Sequence, residues 1–280
     1  ENLRVLSNIP MNLYYIGFSN KVAPFDKVEV RKAVALALDR QQMVLDNFPE
    51  GSEIAQQMIP SNVQPGRSVE LRWYQSDSEQ AVELLKSVNF DFGQEITIAV
   101  IDSSMQYIDY PSDIARAIKS QLAEININVK IVELTQDEFI QNLESGSAMM
   151  YLYAFQADYD DGAAFLERPF IGEANYLGEP YVEIQKMIKE VLSVSEEDAR
   201  QAIFDQINQS VMDQVPLIPL GHAAHVTVFR KTVQNATSNS FFENFEAMSS
   251  SEEQLRFMGI NEPLSLIPSD EDDLATFRIT

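Results

Sequence analysis

The sequence contains no cysteine and only two histidines, His222 and His225. The missing thiols exclude a disulfide framework, a thiolate metal site and a cysteine nucleophile. No run of apolar residues is long enough to span a bilayer, and no basic-then-apolar leader begins at Glu1, although one could precede that residue. The chain as given is therefore expected to fold in water rather than in a bilayer.

Basic residues are scarce. The chain has 20 lysines and arginines against 43 aspartates and glutamates, which gives a formal net charge of −23. Such a charge repels phosphate backbones and anionic lipid surfaces, so nucleic acid is not expected as a partner. With 280 residues and 45% apolar content, the chain has enough apolar surface for one large core or two smaller ones.

The first part of the chain predicts a strand followed by a long helix. Residues 11–18 are rich in aromatic and β-favouring side chains, which is typical of a strand. A helical pattern of apolar residues then covers 28–44, and the spacing of Asp26 and Glu29 predicts a capping box at its start.

The middle of the chain continues this alternation. Thr135 and Glu138 have the spacing of a second capping box, ahead of a helix that runs through Leu143. The order strand, helix, strand predicts an α/β fold in which helices pack on the faces of a sheet. The further strands are predicted over 96–101, 127–132 and 149–155, and the helix between the first two over 114–125.

An acidic turn follows the third of these strands. Asp158, Asp160 and Asp161 place three carboxylates within four residues, and 163–166 then begins like a helix. Carboxylates this close repel one another, so the turn is stable when it is solvated or when it faces a cation, an ammonium group or hydrogen-bond donors. Both interpretations, a solvated turn and an anionic binding site, are open at this point.

Several short segments follow one another in a recognisable order. They are Tyr-Ile-Gly-Phe-Ser-Asn at 15–20, Pro-Phe-Asp at 24–26, Val-Arg-Lys-Ala at 30–33, Ala-Leu-Asp-Arg at 37–40, Ala-Gln-Gln-Met-Ile-Pro at 55–60, and Trp73-Tyr74 with Asp77. This ordered series resembles the family 5 extracellular solute-binding proteins, the oligopeptide-, dipeptide- and nickel-binding receptors of ABC importers. The resemblance implies a type II periplasmic-binding-protein-like lobe, with a mixed sheet flanked by helices.

Two asparagines stand where the family usually has glycine. Asn89 and Asn126 each follow a predicted helix. Asparagine is the other residue that tolerates a left-handed C-cap, so the same backbone geometry is expected at both positions.

The resemblance also implies site residues. Phe155-Gln156-Ala157-Asp158-Tyr159 falls on the family's aromatic-x-x-Asp-Tyr motif, whose aspartate pairs with the free α-ammonium group of a peptide ligand. Asp158 matches that aspartate, Tyr159 follows it, and Phe155 takes the aromatic place that lines a side-chain pocket. Gln156 and Tyr153 are the candidate neighbours of that pocket. The family's usual Asp-Tyr-Pro or Asp-Tyr-Asn is replaced here by extra carboxylates, which imply a more cationic ligand or a solvated rim, the latter being favoured.

Metal binding and catalysis receive little support from the sequence. His222 and His225 are three residues apart on a predicted strand, so they point to opposite faces, and no further metal ligand is evident. A hydrolase using Asp158 with Asp160 or Asp161 as an acid/base pair lacks a nucleophile, a metal or an oxyanion site. The resemblance implies no enzymatic activity and no cofactor.

The domain division also rests on the resemblance. Residues 1–248 correspond to the second, C-terminal lobe, and 249–280 to a linker and a tail whose Leu255–Asp270 stretch resembles the first strand and loop of a complete family member. The tail is interpreted either as the start of a second copy in a tandem receptor, which is favoured, or as an ordinary return through the first lobe.

The function implied is that of a substrate-binding component of an ABC importer. It recognises peptide-like or cationic small solutes in a cleft between lobes, with the permease subunits and the missing first lobe of the same receptor as partners. The implied location is extracellular or periplasmic, with membrane association through the full-length protein. The alternative from another class is a ligand-sensing module of a membrane or regulatory protein.

Overall fold

The computed structural model describes residues 2–8, 11–105, 108–172, 176–235 and 249–250. The described residues divide into two compact units, a larger one between Ser7 and Val226 and a smaller one that contains residues 2–6, 227–235 and 249–250. Almost all of the expected linker and tail at 249–280 lies outside the described residues, so the division at residue 248 stays a prediction.

A mixed sheet forms the centre of the larger unit. Within the described residues, six strands are hydrogen-bonded in the order β3-β7-β2-β6-β4-β5, with bounds β2 Asn12–Phe18, β3 Glu53–Ile54, β4 Glu95–Ile101, β5 Asn128–Leu134, β6 Met150–Gln156 and β7 Leu217–His222. Strand β2 is antiparallel to both β6 and β7, whereas β4 is parallel to β5 and β6. All seven residues of β2 are buried, so the sheet is covered on both faces there.

Helices alternate with these strands along the chain. They are α1 Val28–Ala37, α2 Arg40–Asn47, α3 Ser78–Ser87, α4 Pro111–Glu124, α5 Gln136–Glu144, α6 Gly162–Phe170, α7 Val182–Ser193 and α8 Glu197–Gln214. None of the helices in the described part of the chain is both long and apolar enough to cross a membrane.

Two further pairs of short strands lie outside the six-stranded sheet. Strand β1 (Leu3–Asn8) pairs with β8 (His225–Arg230), and β9 (Val233–Gln234) pairs antiparallel with β10 (Ser249–Ser250). One side of β1 and β8 exposes apolar side chains, since Leu3, Val5 and Val228 are each more than half exposed.

Two local predictions are confirmed in detail. Thr135 and Glu138 form the predicted capping box at the start of α5, each side chain bonding the backbone nitrogen of the other residue. Asn89 and Asn126 have φ angles of 52° and 62°, the left-handed conformation expected where the family usually has glycine.

The long helix predicted over 28–44 is broken into two. Helix α1 ends at Ala37, and Asp39 starts α2 by accepting a hydrogen bond from the backbone nitrogen of Gln42. The capping box of Asp26 and Glu29 is wrong, because the N-cap of α1 is Lys27 and makes no side-chain capping bond. The helical spacing of apolar residues did not reveal the break, since side chains on both sides of it are buried.

The two histidines lie on different strands, so the prediction that they share one is wrong. His222 ends β7 and His225 begins β8, with Ala223 and Ala224 between them. The His222 imidazole is fully buried, and its Nδ1 lies 2.6 Å from the backbone oxygen of Asn12. Burial lowers the pKa of His222, and the bond to the Asn12 carbonyl only partly opposes this effect.

Replacing Asn126 tests the left-handed cap of α4. Its φ of 62° is unfavourable for a residue with a Cβ that gains no local hydrogen bond, so Asn126→Ala is expected to lower the free energy of unfolding by about 1 kcal/mol. Asn126→Gly serves as the control and is expected to retain the wild-type value or exceed it slightly. Urea unfolding measures both variants; equal loss in the two would assign the effect to the asparagine side chain instead.

The His222→Asn variant is expected to lose less stability than the wild type as the pH falls. The folded protein keeps the buried imidazole neutral, whereas the unfolded chain protonates it near its ordinary pKa of about 6.5. Stability from this group is therefore present above that pH and is lost as the pH falls below it.

Urea unfolding between about pH 7 and pH 5 compares the two proteins. The asparagine amide can still donate to the oxygen of Asn12, so the variant is expected to have the shallower pH dependence. Identical slopes would attribute the whole acid sensitivity to carboxylates elsewhere.

Candidate functional site

The acidic turn begins where the central strand β6 ends. Strand β6 pairs with β2 over its whole length, from Phe18 opposite Met150 to Asn12 opposite Gln156. The next residue, Ala157, donates its backbone N–H to the carbonyl of Met11, which extends the pairing by one step. The turn therefore starts at a position fixed by a paired strand.

The three carboxylates of the turn have different environments. Asp161 caps α6 by accepting from the backbone nitrogen of Ala163 at 2.8 Å, and both of its oxygens accept from Nη2 of Arg200 at 2.7 and 2.8 Å. The prediction that Asp161 is a solvated rim residue is thus wrong. Asp158 and Asp160 are exposed, and neither forms a hydrogen bond or ion pair with another described residue.

Tyr159 is held against the following helix. Its side chain is 41% exposed, and its hydroxyl donates to the carboxylate of Glu167, one turn and a half into α6. Burial, together with the bond to Glu167, raises the pKa of Tyr159 well above its ordinary value. The phenol therefore remains protonated and acts as a donor.

Phe155 and Tyr153 lie on one face of β6, within a cluster of aromatic rings. Phe155 is only 2% exposed, and its ring centroid is 6.3 Å from that of Tyr15 and also 6.3 Å from that of Phe165. Tyr153 is half-buried and stacks on Phe139 with a centroid distance of 6.3 Å. A solute that contacted the Phe155 ring would have to displace the side chains around it.

Gln156 lies on the opposite face of β6, since successive strand residues alternate. The five residues singled out in the sequence thus separate into three groups. Tyr153 and Phe155 belong to the aromatic cluster, Gln156 faces the other side of the sheet, and Asp158 with Tyr159 forms the exposed turn. Only the last group presents a carboxylate to solvent.

A second loop packs against the start of α6, directly after the turn. Gly66 lies against Gly162, the first residue of α6, so closely that a Cβ on Gly162 would be 3.1 Å from the Gly66 Cα and 2.9 Å from the Pro65 oxygen. Side-chain amides hold that loop in place. Gln201 accepts from the Gly66 nitrogen at 3.0 Å, and Asn208 donates to the Gly66 oxygen at 2.8 Å.

Sequence reasoning missed the residues that support the turn from a distance. Arg200 is 39 residues from Asp161, and Gly66 is nearly a hundred residues from Gly162. Gly162 itself carried the one available signal, because a glycine directly after an acidic turn often marks a close backbone approach. Nothing in the local pattern identified its partner.

No described residues form a group of three or more histidine, aspartate or glutamate side chains arranged to hold a metal ion. A surface groove lies elsewhere, between the loop at 64–71 and α8, with a volume of about 540 Å³. Arg67, Glu70 and Asp205 are among its lining residues, and none of the five predicted site residues is.

Replacing Asp161 tests whether its carboxylate stabilises the fold, unlike the exposed carboxylate of Asp160. Asp161→Ala removes both a helix cap and a partly buried ion pair, so it is expected to lower the free energy of unfolding by about 1–2 kcal/mol. Asp160→Ala is the matched control one residue away and is expected to change it little. Urea unfolding measures both variants. A similar loss of unfolding free energy in the two would contradict the structural role of Asp161.

Comparisons with known proteins place the chain in a family. The family model described as "Bacterial extracellular solute-binding proteins, family 5 Middle" matches residues 1–176. The di/tripeptide-binding protein 3 of Pseudomonas aeruginosa is 26% identical over 247 residues, which cover 87% of this chain and 46% of that protein. Heme-binding protein A of Haemophilus influenzae is 22% identical over 245 residues, covering 85% of this chain and 44% of that protein. The chain thus spans about half the length of the curated relatives it matches.

Solved structures share the fold. HbpA2 from Haemophilus parasuis superposes with a TM-score of 0.82 at 23% identity, over 89% of this chain and 50% of that one. NikA from Brucella suis, solved with Fe(III)-EDTA, gives 0.75 at 21% identity, over 89% and 53%. The predicted type II periplasmic-binding-protein-like α/β fold with a mixed sheet is therefore confirmed. Because the family model matches well over half of the 280 residues, the chain belongs to the bacterial extracellular solute-binding proteins of family 5.

Proposed function

We propose that this chain is the second lobe of the substrate-binding component of an ABC importer, and that it binds peptide-like or cationic solutes through Asp158. The observation that carries the proposal is that the carboxylates of the acidic turn differ in their partners. Arg200 neutralises Asp161, whereas the Asp158 carboxylate is exposed and makes no bond with any described residue.

The chemistry of an ammonium group fits this turn. A free carboxylate at the end of a rigid strand accepts charge-assisted hydrogen bonds from an ammonium group, and the attraction strengthens as water leaves a closing cleft. Asp160 adds a second negative charge beside it. Tyr159, the residue after Asp158, is partly exposed, and its hydroxyl is engaged by Glu167.

The relatives' names agree with this class of solute. The Pseudomonas aeruginosa relative is named a di/tripeptide-binding protein, and a dipeptide-binding protein from Pseudoalteromonas sp. SM9913 was solved with Met-Leu, at a TM-score of 0.76 and 20% identity over 90% of this chain and half of that one. The family consists of solute-binding proteins rather than enzymes.

The chain matches only about half the length of its relatives, and the proposed assembly includes the other half. A first lobe of the same receptor completes the cleft, and closure around the solute presents a surface to the permease subunits, as in hinge-bending proteins. The proposed location is extracellular or periplasmic, with membrane association through the full-length protein. Because this chain carries only one side of the cleft, its own affinity for the solute is expected to be weak.

Thermal unfolding of the 280-residue chain with tri-alanine tests the ammonium site. A ligand that binds the folded state raises the melting temperature by mass action, so millimolar tri-alanine is expected to raise it progressively. N-acetyl-tri-alanine lacks the ammonium group and is expected to have no such effect. Asp158→Asn is expected to abolish the rise with tri-alanine.

Asp160→Asn is the matched control, because it removes one charge from the same exposed turn. It is expected to keep most of the rise in melting temperature. A rise that survives in Asp158→Asn, or one that N-acetyl-tri-alanine produces equally, would discard the ammonium site.

A further inference from the structure

Asp158 bonds no other described residue, but both of its neighbours in the chain are held. On one side, Ala157 donates its backbone N–H to the carbonyl of Met11. On the other side, the Tyr159 carbonyl accepts from the backbone N–H of Asp161 at 3.0 Å, a bond of the kind that closes a γ-turn. The orientation of the Asp158 carboxylate therefore depends on how firmly these two neighbours are held.

The Tyr159 side chain gives the turn a further attachment. Its hydroxyl donates to the carboxylate of Glu167, which lies eight residues ahead in α6. An ionised acceptor makes such a hydrogen bond stronger than one between two neutral groups. Within the described structure, neither Asp158 nor Asp160 has a side-chain bond of this kind. Of the three residues 158–160, Tyr159 is thus the one whose side chain ties the turn to the helix.

This bond lies close to the ion pair at the end of the turn. Burial is the largest cause of the raised pKa of Tyr159, followed by the hydrogen bond to Glu167 and the charge of that residue. The charge of Asp161 raises the pKa further, whereas the charge of Arg200 lowers it. Such effects require short distances, so the phenol lies near the Asp161–Arg200 pair. The turn is therefore held by α6 through Glu167 and by α8 through Arg200.

We propose that Glu167 is a positioning residue of the ammonium site, which holds the Asp158 carboxylate in its binding orientation through the hydrogen bond from Tyr159. The inference rests on the proposed function and gives Tyr159 a supporting role instead of direct contact with the solute. A carboxylate that is already oriented spares the binding step the free energy of ordering the turn. Without the bond, the turn would be ordered only as the ammonium group arrives.

The hydroxyl of Tyr159 is poorly suited to bind the solute itself. It carries one proton and donates it to Glu167, so it has no second proton for a solute. The competing role for Tyr159 is contact through its ring, which is 41% exposed. Tyr159→Phe separates the two roles, because it keeps the ring and removes the bond.

Glu167 supplies a negative charge as well as a hydrogen-bond acceptor. The charge alone would attract a cationic solute, so the two contributions need different variants. Glu167→Gln removes the charge and keeps an oxygen that accepts from Tyr159, whereas Glu167→Ala removes both. The positioning role predicts that these two variants differ.

The experiment measures the dissociation constant of tri-alanine by NMR titration of the 280-residue chain and its variants. Tyr159→Phe and Glu167→Ala are each expected to weaken binding about fivefold, the scale of ordering one side chain on binding. Glu167→Gln is expected to stay within about twofold of the wild type, because an exposed charge contributes little once it is screened. A fivefold loss in Glu167→Gln as well would assign the effect to charge and overturn the positioning role.

The double variant Tyr159→Phe/Glu167→Ala tests whether the two residues act through one bond. If they do, its loss of affinity equals that of either single variant. Losses that multiply in the double variant would overturn the positioning role. Wild-type affinity in Tyr159→Phe would overturn it too, since the ring alone would then suffice.

Backbone relaxation of the Asp158 amide reports on the turn without any solute. The order parameter in the free wild type is expected to be about 0.85, and in Tyr159→Phe below about 0.6. The melting temperature of this variant is expected to be nearly unchanged, because the bond is exposed to water. A variant that loses affinity while its Asp158 amide stays as ordered as in the wild type would overturn the positioning role.

The positioning role and the ammonium site fail separately. If Asp158→Asn abolishes tri-alanine binding while Tyr159→Phe and Glu167→Ala bind it like the wild type, the positioning role is overturned and the ammonium site stands. If the wild type does not bind tri-alanine, both proposals fall. Loss of binding in Asp158→Asn, together with the fivefold losses in Tyr159→Phe and Glu167→Ala, supports both.

Discussion

The pairing of β2 with β6 is the constraint on which the rest of this lobe depends. Seven residue pairs run from Phe18 opposite Met150 to Asn12 opposite Gln156, and every residue of β2 is buried. A slip by one residue would turn each side chain of β6 to the other face, so the buried aromatic cluster around Tyr15 and Phe155 fixes the register. The register in turn fixes where β6 ends and where the acidic turn begins.

The three carboxylates of the turn repel one another, and they differ in how their charges are compensated. Asp161 has the N-terminus of α6 and the Arg200 guanidinium as partners, so its charge is compensated within the structure. Asp158 and Asp160 remain in water, where their mutual repulsion is screened. The close contact of Gly66 with Gly162 leaves no room for a side chain and holds the start of α6 in place. One of the three acids is therefore a structural element of the turn, and the other two remain exposed.

The sequence predicted several features that short-range patterns encode, whereas it gave no indication of the contacts that distant residues supply. The capping box of Thr135 and the left-handed Asn126 depend on residues a few positions away, and both were predicted correctly. The strand order and the salt bridge of Asp161 depend on tertiary contacts. Two other misses were local, because Asp39 starts α2 by accepting from Gln42 and no capping box forms at the start of α1. Arg31 shows the limit clearly, because its guanidinium donates to the carbonyl of Val215, 184 residues away.

Two electrostatic effects of different range act at the acidic turn. The field of a protein with a charge of −23 attracts cations generally, but salt at about 0.1 M screens it beyond roughly 10 Å. Within that distance, the charges of individual side chains determine how strongly a cation is attracted. At the acidic turn these side chains are Asp158 and Asp160, because the charge of Asp161 is already compensated by Arg200.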